Sequence, residues 1–137
     1  MILVDTNVWS ELAKPEGDPA VLAWLEANDR ELALSTLVMA EIQYGLELPK
    51  AAHKRAKLIL WLRGLEERYW SRVWHFDADD ARSFGRLAAS TEVKKRDPQV
   101  IDLQLAAQAL ARDAAVATRN VKDFAWTGVK VIDPWAA

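Results

Sequence analysis

The chain has 137 residues, of which 18 are Lys or Arg and 20 Asp or Glu, for a net charge of −2; 51% of residues are hydrophobic and 28% charged. That composition belongs to a folded globular chain of one domain's length, residues 1–137, and excludes a disordered tail. The lack of cysteine excludes disulfides and thiolate metal sites, no apolar run reaches the roughly 18 residues of a membrane span, and the charge balance gives no overall basic footprint for nucleic acid.

In chain order, ILV at 2–4 is a short apolar run stopped by Asp-Thr-Asn, which reads as a buried strand leading into a helix near 7–13. The start, MILVDTNVWSEL, has no basic stretch ahead of its apolar residues and does not read as a signal peptide, so the cytoplasm is the expected setting. Pro15, Gly17 and Pro19 mark a loop before a helix over 20–28. ELALST (31–36) predicts a second strand, and LVMAEIQYGLEL (37–48) a helix ended by Pro49. A long helix follows over 51–70, with Leu58, Leu62 and Leu65 on one stripe. RVWHFD (72–77) alternates like a third strand. The acidic start of 77–96 suits a helix N-terminus, and Asp97-Pro98 opens the helix 97–113. AAVATRN (114–120) is a fourth strand with its exit, and VKVIDP (129–134) a fifth. Short strands alternating with helices imply an α/β fold with a parallel sheet covered on both faces. Right-handed crossovers put the strands' C-terminal ends along one edge, where ligands of open α/β sheets bind.

Acidic residues mark that edge. Asp5 directly follows the first strand, where it also suits a helix N-cap. Glu41 interrupts a mostly apolar stripe with Leu37, Tyr44 and Gly45, and alone it reads more readily as a helix-edge carboxylate reaching water. Asp102 interrupts a stripe with Leu105, Ala106 and Ala109, and alone it reads as a first-turn acid favoured by the helix dipole. Thr118, Asn120 and Asp123 follow AAVA, as in another strand exit or an ordinary turn. Acids converging at one edge repel one another, and a divalent cation relieves that repulsion, activates water and stabilises a phosphoryl transition state. With only His53 and His75 present, oxygen ligands dominate, favouring Mg²⁺ or Mn²⁺.

MILVDTNVWSEL, LSTLVMAEIQYG, VIDLQLAAQA, VATRNVKDF and the closing VIDPW, in this order from Met1 to Trp135, resemble the PIN-domain ribonucleases, and among them the VapC-type and FitB-like toxins of bacterial toxin–antitoxin pairs. The resemblance implies a three-layer α/β/α sandwich around a parallel five-stranded sheet, and an Mg²⁺- or Mn²⁺-dependent endoribonuclease. It implies that Asp5 and Asp102 bind metal, that Glu41 orients or deprotonates the attacking water, and that the family's fourth position falls on Asn120. Many members carry Asp there, and Asp123, three residues on, is the alternative source of that charge. The hydroxyls of Thr6 and Thr118 are expected to meet a water or a metal-bound phosphate. The implied partners are an RNA substrate, a second copy of the chain and a small antitoxin whose C-terminal segment covers the groove.

Two other readings stand beside this one. A small-molecule phosphohydrolase also uses a strand ending in Asp, but it needs a second acid where this chain has Asn7. A catalytically weak PIN-like module binding RNA or protein is compatible with Asn120. Lys50, Lys54, Arg55, Lys94, Lys95 and Arg96 are candidate RNA contacts, or else solvated helix faces. The seven tryptophans, Trp61 among them, are expected mainly in packing or at interfaces, with stacking on unpaired bases as the other use.

Overall fold

In the computed structural model, which describes residues 1–137, the first strand β1 (Ile2–Val4) is fully buried and pairs on both sides. On one side lies β2 (Leu32–Ser35), with Ile2 opposite Leu32; on the other lies β4 (Ala115–Ala117), with Ile2 opposite Ala115. The edges are β3 (Val73–Trp74) beside β2 and β5 (Val131–Ile132) beside β4. The sheet has five strands in the order β3-β2-β1-β4-β5, every pair parallel. The chain runs outward from β1 to β3, then returns to β4, so the strand order reverses between β1 and β4. A crevice opens at such a switch point, outside the C-terminal ends of the strands.

Eight α-helices make the connections. They are α1 (Thr6–Ala13), α2 (Pro19–Ala27), α3 (Thr36–Glu47), α4 (Arg55–Arg68), α5 (Ala78–Ala88), α6 (Thr91–Arg96), α7 (Val100–Ala111) and α8 (Val121–Ala125). Because outward and return crossovers share one hand, they cover opposite faces, which yields the α/β/α layering. Leu3, Val4, Leu32, Leu34 and Val116 of the sheet pack with Val8, Trp9, Val38, Leu46, Leu105 and Phe124 of the helices in the main core. The Trp9 ring lies 4.9 Å from that of Tyr69, whose hydroxyl donates to Asp29 at 2.6 Å.

Several boundaries differ from the sequence reading, each for a local reason. Pro19 belongs to α2 rather than to the preceding loop, since its missing N–H costs nothing in a first turn; Asp18 caps that turn, accepting from Ala20 N at 2.9 Å. The helix expected over 51–70 begins as a 3₁₀ segment, Pro49–Lys54, and becomes α-helical only at Arg55. The stretch 77–96 is two helices, because Ser90 takes extended backbone and starts α6 afresh. Asp97 does not open α7. It ends α6 in left-handed backbone (φ 45°), since the residue before a proline is pushed out of the right-handed helical region, and α7 starts at Val100. Strands β3 and β5 pair over only two residues each.

Candidate active site

The acids predicted at the sheet edge meet there. Asp5 leaves β1 at the switch point, and its N–H donates to Ala117 O at 2.9 Å, extending the β1–β4 pairing. The residue is only 5% exposed. Oδ1 accepts the Thr6 N–H at 2.8 Å, so Asp5 is also the N-cap of α1. Oδ2 accepts the Thr118 hydroxyl at 2.8 Å across a separation of 113 residues. The Thr6 hydroxyl donates to Glu41 Oε1 at 2.8 Å, joining α1 to α3. Thr6 and Thr118, expected to meet water or phosphate, thus spend their protons on Glu41 and Asp5. Asp102, in the first turn of α7, is half-buried and has no such donor.

The electrostatics bind these groups together. Burial pushes the Asp102 carboxyl up to about 6, and the charges of Asp5, Asp123 and Glu41 push in the same direction. Burial raises Asp5 as well; its hydrogen bonds from Thr118 and Thr6 oppose this, and the charge of Asp123 adds to it. Burial also raises Glu41, against the Thr6 bond and with help from Asp5. Of the two candidates for the fourth position, Asp123 is the one whose charge reaches Asp5 and Asp102. Asn120 is the exposed N-cap of α8; its side chain makes no capping bond, and its N–H donates to Thr118 Oγ1 at 3.0 Å.

One contributor escaped the sequence reading. The Asn7 carboxamide donates to Asp5 Oδ2 and to Thr118 Oγ1, both at 3.4 Å, and accepts the Arg119 N–H at 3.2 Å, so it ties the exit of β4 to the start of α1. Its position two residues after Asp5, just inside the helix, was the available signal. Of the basic candidates, Arg55 is structural, donating to the carbonyls of Leu46 (2.6 Å) and Leu48 (3.2 Å) at the end of α3. Arg96 lines a cleft of about 420 Å³ together with Asp102, Lys122, Asp123 and Trp126. A wider hollow of about 580 Å³, around Asn28–Glu31 and Arg68, lies by the N-terminal end of β2, the opposite edge of the sheet from the acids.

The donor set is chemically that of a hard divalent cation: carboxylate oxygens that raise one another's pKa, with a carboxamide nearby. No three acidic or imidazole side chains close into a ready-made cage.

Residues 2–128 match the PIN domain family. The chain belongs to this family. Over 98% of its length and 98% of the relative's, this PIN domain is 39% identical to the VapC ribonuclease Y4jK of Sinorhizobium fredii. It is 30% identical to the toxin FitB of Neisseria gonorrhoeae, over 98% of the chain and 99% of that protein. The crystal structure of FitAcB from Neisseria gonorrhoeae superposes with a TM-score of 0.89 at 29% identity, covering 100% of both chains. The parallel five-stranded architecture expected from the sequence is therefore that of the PIN fold, and no helix is long and apolar enough to cross a membrane.

Proposed function

We propose that this PIN domain is a metal-dependent endoribonuclease acting as the toxin of a toxin–antitoxin pair. The observation that carries the reading is the convergence of Asp5, Glu41 and Asp102 from separate elements at one switch point, where burial raises all three carboxyls and the charges of Asp5, Asp123 and Glu41 act on Asp102. The names of Y4jK and FitB give it a substrate class and a role.

Asp5 and Asp102 would hold Mg²⁺ or Mn²⁺, with Glu41 and Asp123, or the carboxamide of Asn120, completing the shell. When bound, the cation supplies charge neutralisation at the phosphate and a more acidic water. The protein's own part is positioning. Thr118 and Thr6 N–H fix the Asp5 carboxylate, and Thr6 Oγ1 holds Glu41 within the same cluster, where it can take or orient a proton of the attacking water. The chain has no cysteine, and a water nucleophile requires no covalent intermediate. Single-stranded RNA suits an edge site better than a duplex, whose deep groove hides the bases. A homodimer, a small antitoxin covering the groove and a cytoplasmic setting complete the proposal.

The test is incubation of pure protein with Mn²⁺ and a mixed RNA pool, beside Asp5→Ala. Cleavage that requires metal and falls more than about 100-fold in the variant is the expected outcome, since even groups that only orient metal ligands cost 10–100-fold. Binding without cleavage would instead favour a non-catalytic PIN module.

A further inference from the structure

The cleft beside Asp102 and Asp123 carries two cationic side chains, Arg96 from the end of α6 and Lys122 from α8. A phosphodiester strand approaching the acids meets strong repulsion unless positive charge receives its neighbouring phosphates. Arg96 is already held for that task. Its guanidinium carbon sits 5.6 Å from the centre of the Trp126 ring, and its Nε–H donates to Glu92 at 3.1 Å. Trp126 is itself pinned, its indole N–H donating to Asp123 O at 3.0 Å. The terminal amino groups of Arg96 make no protein hydrogen bond, and the side chain is 46% exposed, so its donors are available to a phosphate. Asp97, in left-handed backbone, ends α6 immediately after Arg96, and Arg96–Gln99 line the cleft beside the first turn of α7.

We propose that Arg96, backed by Trp126, anchors the RNA phosphate adjacent to the one that is cut, and so forms a substrate-binding subsite at the α6–α8 rim. The proposal rests on the nuclease reading for its ligand, though not for its geometry. Its competitor is an ordinary solvated helix end, in which Arg96 serves only its i,i+4 partner Glu92.

Two measurements decide between them. Binding of a short, fluorescent single-stranded RNA is followed by anisotropy on an Asp5→Asn background that stops cleavage, over a series of salt concentrations. Arg96→Gln is expected to weaken binding about tenfold, the scale of one charge-assisted hydrogen-bonding contact. It should also flatten the dependence of log K on log salt by about 0.7, the value of one lost phosphate contact on a single strand. Arg96→Lys, which keeps the charge without the fork, should fall between. On the otherwise unaltered protein, Arg96→Gln should raise KM and leave kcat within about twofold. Unchanged affinity and salt slope in Arg96→Gln overturn the subsite whether or not the protein cuts RNA. Absence of metal-dependent cleavage by the unaltered protein overturns the nuclease reading, and the binding result then decides the subsite alone.

Discussion

Asp102 is the acid whose protonation reports most directly on the site. Burial and the surrounding carboxylates push it from an ordinary 3.8 up to about 6. Between those values the folded protein holds a proton that the unfolded chain has released, so the unfolded state binds fewer protons and stability falls as pH rises. The metal-free protein should therefore have its full Asp102 contribution below about 3.8 and lose it as pH passes about 6. Asp5 and Glu41 are raised and act with the same sign. Glu11, Asp29 and Asp77 are lowered, so their contributions are lost only in more acid solution, below their ordinary values. Melting curves in EDTA across this range should show Tm declining with pH, less steeply in Asp102→Asn. A Tm that climbs through the window would show that the carboxylates do not crowd one another. Cleavage should change in the opposite sense, rising as Asp102 ionises.

Helix α7 carries Asp102, and a buried polar chain ties it to its neighbours. Gln108 accepts from the Ser35 hydroxyl at 2.5 Å and donates to Asp80 Oδ2 at 3.3 Å, while Arg112 reaches Asp80 at 3.0 Å. Ser35 in turn caps α3, the helix of Glu41, so the helices bearing the two acids are keyed to one another. Asp80 is 1% exposed, and Asp80→Ala leaves the buried Gln108 carboxamide N–H without its acceptor and removes the buried ionic partner of Arg112, which keeps only His75 O and the more distant Asp77. Urea unfolding should register a loss of about 3 kcal/mol; a loss below ~1 kcal/mol would mean the network contributes little. This chain of bonds was invisible in the sequence, where Gln108 and Asp80 look like two more polar helix residues. Sequence reasoning succeeded where periodicity and punctuation agree: ILV before Asp5, LALS before Thr36, and the apolar α7. It found β3 and β5 but overran their lengths, because tertiary pairing with β2 and β4 stops at two residues in each. It failed at Asp97-Pro98, read as a helix opening although the two residues turn the chain between helices. The acids Asp5, Glu41 and Asp102 were legible because each breaks an apolar run. Asn7 was not, because a carboxamide in a first turn carries no such contrast.

The molecule as a whole should respond to a cation that relieves this crowding. A ligand bound only by the folded state at about 100 times its Kd stabilises by about 2.7 kcal/mol, which for a chain of this size raises Tm by roughly 10 °C. Thermal scans with and without Mn²⁺ should show that shift, and Asp5→Asn should remove most of it. An equal shift in the variant would place the cation elsewhere. The sheet order has a further consequence. The Asp5 carboxylate is fixed by a hydroxyl 113 residues away, and the central strand finds β4 only after β2 and β3 have been made. At 5–20 residues per second, a ribosome needs roughly 6–20 seconds to synthesise the intervening chain. During that interval the nascent polypeptide has its first acid but no pocket around it. A chain halted before β4 should be inert toward RNA, so a cell making this protein has a built-in delay before any cutting begins.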